Sequence, residues 1–483
     1  MSRRPAPSRG KTPGSKSFGG KASGGRPQPR RPAARPPVEP PTTGPVEITV
    51  ETVGALGDGV AHWQEPYGPN HRLFVPQTLV GDRLMVRFAQ ERGEGWLVEP
   101  VSLLAEGPGR AEPACRHFGT CGGCTLQHMD ADTYGAWKVE QLRHALSRAG
   151  ITDLPMAPLV RTPPHARRRA VLAAARRGRR LWLGFNERAS HRLVDIEDCT
   201  VLVPRLMALI APLRALLLDL LPDEHTLDVA LTLLDDGPDV VLVGLPQPDL
   251  TALEKLGAFA EAHDLARLTW SKRPGAPVEP IALRRTGLVR FGPVTVSPPA
   301  GSFLQASAEG EAALVAEALA GASAGLAYEK GAQGKGAQGA RVADLFAGSG
   351  TLTFPLATLA PVHAVEGDGP ALTALEAAAR QAAGTHPVTV ERRDLFKEPL
   401  SPSELSAYQA VVFDPPRAGA ASQAAALAAS NVPVVVAISC NPVSFARDAA
   451  LLLGGGYVLE RLVPVDQFLW SPHLEVAARF RRG

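Results

Sequence analysis

Five cysteines are the residues of this 483-residue chain whose type and spacing point most directly to chemistry. Cys115, Cys121 and Cys124 follow the pattern C-x5-C-x2-C, and 74 residues separate the last of them from Cys199. Four thiolates suit either a tetrahedral zinc ion or an iron–sulfur cluster, and the spacing leaves both open. Cys440 follows the apolar run VPVVVAIS and precedes an Asn-Pro turn, which makes it a candidate nucleophile.

A glycine-rich turn predicts a cofactor site in the last third of the chain. The segment DLFAGSGTLTF places Gly348 and Gly350 between a strand and a helix, where glycine lets a ligand approach the main chain. Glu366 ends the next strand, and its carboxylate can accept hydrogen bonds from ribose hydroxyls. Asp394 ends the third strand and is predicted to contact an adenine amine, with a turn or helix-capping role as the alternative.

Two more acids lie where they can meet the candidate nucleophile. The segment FDPPRAG puts Asp414 at the end of the fourth strand, with two prolines that fix the turn. Near the C-terminus, Glu475 follows His473 by two residues, so a strand would turn both side chains to one face. A carboxylate close to Cys440 can serve as a general base.

A doubly wound α/β sheet is the element that must position these residues. From Arg341 onward, strand-like segments alternate with helical ones rich in Ala and Leu; the strands are RVADLF, VHAVEGD, VTVERRD, AVVFDPP and VPVVVAIS. Ligands of such sheets bind beyond the carboxyl ends of the strands, where the residues named above lie. Residues 291–483 are therefore predicted to form a Rossmann-like domain of a multidomain α/β protein.

The regions upstream predict three further units. Residues 1–44 contain ten basic residues and one acid and are expected to be a disordered basic tail. Residues 45–104 alternate with period two between glycine turns and predict a small OB-like β-barrel. Residues 105–290 predict a central α+β domain that carries the cysteines and an arginine-rich sheet, with ten arginines within 161–192. An RNA-contacting face is favoured for this sheet, and a solvated basic face is the alternative. A Gly/Ala/Gln-rich insert at 330–339 is expected to be a mobile loop.

Charge and composition narrow the class of partner. The net charge is +3, but the tail alone carries +9, which leaves −6 for the remainder. This asymmetry indicates a polyanionic partner such as nucleic acid, although a solubilising tail is an equal alternative. No apolar run is long enough to cross a bilayer and no export signal is recognised, so a cytoplasmic protein without a membrane partner is expected. In that reducing compartment clustered cysteines favour metal binding, and nothing points to an obligate protein partner.

Taken together, these motifs resemble the RNA uracil-5-methyltransferase family, in its branch with a TRAM domain and a [4Fe-4S] cluster that modifies 23S ribosomal RNA. The resemblance runs from about residue 45 to the C-terminus. It depends on the cysteine motif, the glycine turn, DPPRAG, SCNP and HLE, which follow one another in the family's order. The segment from VETVGALGDGVAHW onward resembles a TRAM domain.

The resemblance implies S-adenosylmethionine as methyl donor and specific roles for site residues. The implied cluster ligands are Cys115, Cys121, Cys124 and Cys199. The implied cofactor contacts are Gln305, Phe346, Thr351, Glu366, Asp394 and Asp414. Cys440 is implied as the nucleophile and Glu475 as the base.

The chemistry that follows is covalent methylation of a uracil flipped out of folded RNA. The Cys440 thiolate would add to carbon 6, carbon 5 would take the methyl group, and Glu475 would then remove the carbon 5 proton. The favoured substrate is 23S rRNA, and tRNA is the closest alternative. An amino-group methyltransferase with Cys440 as a bystander and a non-catalytic RNA-binding protein are the rival functions.

Overall fold

The computed structural model describes residues 39–188, 190–332 and 339–483. Most of the expected basic tail, residues 1–38, and the centre of the Gly/Ala/Gln-rich insert, residues 333–338, lie outside the described residues. Across the described residues no helix combines the length and the apolarity that a bilayer crossing requires. The strands assemble into three large sheets and one small hairpin.

The first sheet covers the region predicted as a small barrel. Its strands are β1 (Val46–Thr49), β2 (Thr52–Val53), β3 (Gly59–Gln64), β4 (Asn70–Val75), β5 (Arg83–Arg92) and β6 (Gly95–Ala105). They pair in the order β1-β5-β6-β4-β3-β2. Since only two residues separate β1 from β2, one chain segment forms both ends of this order. Alternate side chains such as Ile48, Leu73 and Val86 are buried together, as the period-two pattern predicts.

The segment after the first cysteines packs on the C-terminal sheet. Helix α1 (Ala131–Arg148) begins at Asp130, whose side chain accepts a hydrogen bond of 2.8 Å from the Thr133 N–H. Strand β7 (Val160–Arg161) adds to the edge of the C-terminal sheet. Buried leucines of α1 pack in the core of the last domain, so this part of residues 105–290 contacts the C-terminal sheet, while the predicted domain bounds stay a prediction.

The central sheet contains the arginine-rich stretch. Its strands are β8 (Arg169–Arg177), β9 (Arg180–Asn186), β10 (Leu193–Asp195), β11 (Thr226–Leu234), β12 (Gly237–Val243), β13 (Arg267–Ser271) and β14 (Glu279–Leu283). They pair in the order β10-β9-β8-β11-β12-β13-β14. The accompanying helices are α2 (Pro204–Met207), α3 (Ile210–Leu220) and α4 (Leu250–Ala262). Leucines of α3 and α4 cover one face of the sheet and form its core.

The last domain begins with a hairpin and a long helix. The hairpin joins β15 (Val289–Phe291) to β16 (Val294–Val296), and α5 (Ala308–Ala332) follows. The strands after it are β17 (Val342–Leu345), β18 (Val362–Glu366), β19 (Val388–Arg392), β20 (Ala410–Phe413), β21 (Val434–Ser439), β22 (Tyr457–Asp466) and β23 (Glu475–Arg482). The helices are α6 (Thr353–Leu356), α7 (Gly369–Gln381), α8 (Pro402–Leu405), α9 (Ala421–Ala428) and α10 (Pro442–Gly454).

The doubly wound prediction is confirmed by the pairing of these strands. Their order is β19-β18-β17-β20-β21-β23-β22-β7, and β17 to β21 run parallel to one another. Strand β23 is antiparallel to both of its neighbours. The short strands β17, β20 and β21 are buried along their whole length, because helices cover both faces. The order reverses between β17 and β20, which is where ligands of this fold bind.

Candidate active site

A cavity of about 510 Å³ opens beyond the carboxyl ends of the parallel strands. Because these ends meet at one edge of the sheet, residues that are distant in the sequence come together there. The cavity is lined by each residue predicted to contact the cofactor or to act in catalysis: Gln305, Phe346, Thr351, Glu366, Asp394, Asp414, Cys440 and Glu475. The structure thus brings the predicted cofactor contacts and the predicted catalytic residues into one cavity, while the role of each residue in the reaction stays a prediction.

The glycine turn forms one wall of the cavity directly after β17. Phe346, Gly348 and Gly350 have positive φ angles of 63°, 55° and 100°. A Cβ atom on Gly350 would lie 2.5 Å from the ring of Phe354, so a larger residue would force that ring to move. The Gly348 N–H donates a hydrogen bond of 2.8 Å to Glu366 Oε2. This bond holds the Glu366 carboxylate at the cavity edge, where its remaining lone pairs can accept bonds from ligand hydroxyls.

Asp394 caps a turn as well as lining the cavity. Its side chain accepts hydrogen bonds from the Phe396 N–H at 3.1 Å and from Lys397 Nζ at 2.5 Å. The hydrogen bond from Lys397 is the main cause that lowers the pKa of Asp394. Beside it, the ring centroids of Phe346 and Phe396 are 5.4 Å apart. Two aromatic rings next to a carboxylate suit a flat heterocycle with an amino group.

Asp344 is a buried acid at the cavity that the sequence analysis did not assign to a ligand. Its Oδ2 accepts a hydrogen bond of 2.5 Å from Thr353 Oγ1. Within the described part of the chain its Oδ1 has no hydrogen-bond partner. Burial raises the pKa of Asp344 to about 7. An unpartnered acceptor at the lining of a cavity is a position that a ligand donor can satisfy.

Cys440 is held between the end of β21 and the start of α10. The Asn441 side chain caps α10 by accepting a hydrogen bond of 3.1 Å from the Val443 N–H. Asn441 Nδ2 also donates to the Arg417 carbonyl at 3.1 Å, which ties the DPPR turn to the cysteine. Burial, followed by the negative charge of Glu475, raises the pKa of the Cys440 thiol to about 11, and the charge of Arg417 opposes this shift. The thiol is therefore largely protonated at neutral pH.

A chain of hydrogen bonds links the partly buried carboxyl group of Asp414 to the buried carboxyl group of Glu475. Gln305 Nε2 donates to Asp414 Oδ2 at 3.1 Å. Gln467 Nε2 donates to Gln305 Oε1 at 2.7 Å and to Glu475 Oε1 at 3.1 Å. Burial is the main cause that raises the pKa of both Asp414 and Glu475. Among the described residues Glu475 Oε2 has no partner, so this oxygen is available to a proton on a bound substrate.

The four clustered cysteines lie close enough to influence one another. Burial and the other cysteines raise the pKa values of Cys121, Cys124 and Cys199, that of Cys124 to about 12. Thiols of this kind become ligands only when a bound metal displaces their protons. In the part of the chain that the structure covers, no three His, Cys, Asp or Glu side chains are arranged to hold a metal ion. The donor types fit an iron–sulfur cluster, and the cluster itself stays a prediction.

Several arginines of the predicted RNA-contacting stretch have intramolecular partners. Arg168 donates to Glu311 at 2.5 Å, and Arg188 donates to Asp58 of the first sheet at 2.5 Å. Arg169 lies over the ring of Phe303 at 4.7 Å, next to the cavity. The stretch is therefore partly structural, because it joins the central sheet to its neighbouring domains as well as presenting positive charge.

Sequence reasoning did not single out three residues that support the site. Gln467 connects Gln305 to the proposed base, and Phe303 and Arg417 line the cavity. Arg417 belongs to the DPPRAG segment and Phe303 lies two residues before Gln305, so closeness to a motif residue was an available signal. Gln467 precedes Glu475 by eight residues and gave no comparable signal.

Comparisons with known proteins find that this chain is similar to methyltransferases. A family model described as tRNA (Uracil-5-)-methyltransferase matches residues 390–482. An uncharacterized RNA methyltransferase of Brucella suis is 44% identical over 90% of this chain and 98% of its own length. The 23S rRNA (uracil(1939)-C(5))-methyltransferase RlmD of Chromohalobacter salexigens is 34% identical over 89% of this chain and 87% of its own.

A solved structure is similar over the same range. The tRNA (uracil-54, C5)-methyltransferase of Pyrococcus abyssi, in complex with S-adenosyl-L-homocysteine, superposes with a TM-score of 0.65. The match covers 90% of this chain and all of that one, at 22% sequence identity. At this identity the likeness establishes a shared fold.

Proposed function

Since this chain belongs to the S-adenosylmethionine-dependent RNA uracil-C5 methyltransferases, we propose that it methylates carbon 5 of a uridine in 23S rRNA through a covalent adduct with Cys440. One observation carries the proposal: Cys440, a buried carboxylate with one oxygen unpartnered among the described residues, and a glycine-lined wall for the cofactor share one cavity. Amino-group transfer needs neither the cysteine nor the second carboxylate.

The cofactor side of the cavity fits S-adenosylmethionine. The glycine turn lines the cavity, and the Glu366 carboxylate is held at its edge, where it can accept hydrogen bonds from ligand hydroxyls. The rings of Phe346 and Phe396 lie beside Asp394 in the same wall. Gln305, Thr351 and the turn of Asp414 complete the proposed contacts. Bound there, S-adenosylmethionine supplies an electrophilic methyl group.

The chain's own residues carry out the covalent steps. The Cys440 thiol first loses its proton to solvent. The thiolate sulfur then forms a bond to carbon 6 of the uracil while the carbon 5–carbon 6 double bond opens, which makes carbon 5 nucleophilic enough to take the methyl group. The Glu475 carboxylate then accepts the proton of carbon 5, the carbon 5–carbon 6 double bond re-forms, and the carbon 6–sulfur bond breaks to release the thiolate. Gln467 orients Glu475 for this step through its hydrogen bond to Oε1.

The adduct provides the test. RNA that contains 5-fluorouridine at the target has no carbon 5 proton to lose, so the adduct should persist as a denaturation-resistant protein–RNA band. Cys440→Ala should form no such band and no 5-methyluridine. An active Cys440→Ala enzyme would refute the covalent mechanism and favour an amino-group methyltransferase, whereas wild-type protein that does not bind S-adenosylmethionine by calorimetry would favour a non-catalytic RNA-binding protein.

The favoured RNA is 23S rRNA, and tRNA is the second candidate. The Chromohalobacter relative is named for 23S rRNA, while the Pyrococcus structure is named for tRNA. Mapping 5-methyluridine in both RNA classes from a deletion strain decides between them: the lost modification identifies the substrate. An RNA substrate also agrees with the expected cytoplasmic location.

We also infer accessory roles for the two upstream regions. The sheet β1 to β6, whose strand order begins and ends on one chain segment, is proposed to be a TRAM barrel that contacts RNA together with the basic arginines of the central sheet. Cys115, Cys121, Cys124 and Cys199 are proposed to hold a [4Fe-4S] cluster, through which no step of the reaction passes. Anaerobically prepared protein should be brown and contain iron; a colourless zinc protein would refute the cluster.

A further inference from the structure

A buried ion pair lies behind the loop 467–474, which joins β22 to β23 and precedes Glu475. Lys138 of α1 and Asp466 at the end of β22 are 1% and 0% exposed, and Lys138 Nζ donates to Asp466 Oδ1 at 2.9 Å. Tyr134, one helical turn earlier on the same face of α1, donates from its hydroxyl to Asp466 Oδ2 at 2.6 Å. Desolvation makes a buried ion pair a poor source of stability, so its presence here calls for another role.

Tyr134 and Lys138 of α1 also bind the backbone of the loop that follows Asp466. The Trp470 N–H donates to the Tyr134 hydroxyl at 2.8 Å. Lys138 Nζ donates to the carbonyl of His473. Trp470 has a positive φ angle of 58°, a conformation that a bulky residue keeps only when its surroundings enforce it. Tyr134 and Lys138 therefore fix the loop at its start, its middle and its end.

This loop carries the group that orients the base. Gln467 follows Asp466 directly, and Glu475 begins the next strand two residues after His473. Gln467 Nε2 reaches Glu475 and Gln305, while its Oε1 accepts the Ala306 N–H at 3.0 Å. A shift of the loop therefore moves Gln467 and Glu475 relative to the cavity.

We propose that Tyr134, Lys138 and Asp466 are positioning residues that hold the loop 467–474 so that Glu475 can take the carbon 5 proton. This inference rests on the proposed function and adds to it a set of residues outside the cavity. They contact neither uracil nor methyl donor, and they act through the backbone of the loop. Cys440 lies between the end of β21 and the start of α10, outside the loop that these residues hold, so its addition to carbon 6 is expected to continue without them.

The inference predicts a selective defect in one step. If Glu475 is misplaced, sulfur addition and methyl transfer still occur, but the carbon 5 proton stays on and the carbon 6–sulfur bond cannot break. The methylated uracil then remains attached to Cys440, and the adduct accumulates with ordinary, non-fluorinated RNA. Misplacement of a catalytic group by about 1 Å can slow a step about 100-fold.

The test uses two variants of the full-length protein. Tyr134→Phe removes only the hydroxyl that joins Asp466 to the Trp470 N–H. The double variant Lys138→Met with Asp466→Leu removes both buried charges together, so that neither is left unpaired. Both should lower kcat by about 10- to 100-fold, leave the affinity for S-adenosylmethionine unchanged, and raise the fraction of protein found as adduct with ordinary RNA.

A matched control separates positioning from general stability. Tyr457 is also a buried tyrosine of this domain, and its hydroxyl donates to the Val432 carbonyl at 2.8 Å, at the opposite end of β22 from the site. Tyr457→Phe should lower the melting temperature without raising the adduct fraction. Folded Tyr134→Phe and double variants with wild-type kcat and no accumulated adduct would overturn the inference. Wild-type protein that forms neither adduct nor 5-methyluridine would instead overturn the proposed function.

Discussion

Glu475→Gln should stabilise the folded protein at neutral pH while blocking the reaction. Glu475 is buried, its Oε2 has no partner within the described residues, and burial raises its pKa. The amide of glutamine carries no charge, and its oxygen can still accept the hydrogen bond that Gln467 Nε2 donates to Oε1. The substitution therefore removes the cost of burying a carboxylate and keeps its main contact.

The stabilisation by Glu475→Gln should increase as the pH rises. In the unfolded chain the glutamate loses its proton near its ordinary pKa of 4.5, whereas the folded protein retains the proton to a higher pH. Wild-type stability must therefore fall as pH rises through this window, by at most about 1.4 kcal/mol per pH unit for one proton. Glutamine has no such proton, so its advantage should be near zero at acidic pH and should grow to about 1–3 kcal/mol at neutral pH.

Thermal and urea unfolding of the full-length protein at several pH values measure this gap, the difference in free energy of unfolding between Glu475→Gln and wild type. Glu460→Gln is the control, because Glu460 is a glutamate on β22 that pairs with Arg479 and Arg481 near the surface. That variant should lose about 0–1 kcal/mol and show no gain toward neutral pH. A gap for Glu475→Gln that does not change with pH, or a variant less stable than wild type at neutral pH, would refute the reasoning. Formation of 5-methyluridine should fall by about 100- to 10,000-fold, with adduct retained on ordinary RNA.

Three further predictions address other parts of the site. Cys440→Ala should abolish adduct and product but keep the affinity for S-adenosylmethionine measured by calorimetry. Loss of cofactor binding would contradict the proposal that Cys440 acts on the uracil and takes no part in holding the cofactor. The initial rate should rise with pH, by up to about tenfold per unit between about pH 6 and 9, because the Cys440 thiol has a pKa raised to about 11; a flat profile would exclude the thiolate as the limiting species. Gly350→Ala should lower the free energy of unfolding by about 1–2 kcal/mol and weaken S-adenosylmethionine binding about tenfold, because the φ of Gly350 is 100° and a Cβ there would meet Phe354. An unchanged melting temperature and affinity would contradict the need for glycine in this turn.

The sequence predicted the last domain well because each buried parallel strand, and the residue at its carboxyl end, can be recognised in the sequence. Buried parallel strands read as apolar runs, and Glu366, Asp414 and Cys440 follow such runs directly. Once the strands are parallel, their carboxyl ends share an edge, so the cavity follows from the pattern. The roles drawn from family resemblance fall on residues of the same cavity, yet only the reactions described above can assign them.

The supporting residues could not be predicted, since their partners are far away in the sequence. Lys138 occupies what reads as an ordinary amphipathic helix, in which a lysine is expected to be exposed. The same holds for residues 131–161, whose helical pattern does not reveal which domain covers its apolar face. The spacing of Tyr134 and Lys138 on one face of α1 was the one local signal, and it indicates a shared neighbour without naming it.

The long reach of the Lys138–Asp466 pair has a consequence for how the enzyme becomes active during synthesis. The two residues are separated by 328 positions, so at about 5–20 residues per second the lysine is made tens of seconds before its partner. During that interval α1 has no acidic partner for its lysine and no helix α10 on which to pack. The loop 467–474 is made after the glycine turn and the cofactor wall, and it closes onto a helix made long before. A ribosome-bound fragment that stops before this loop already contains the glycine turn and the cofactor wall, but it lacks Glu475, which the proposed release of a modified RNA requires.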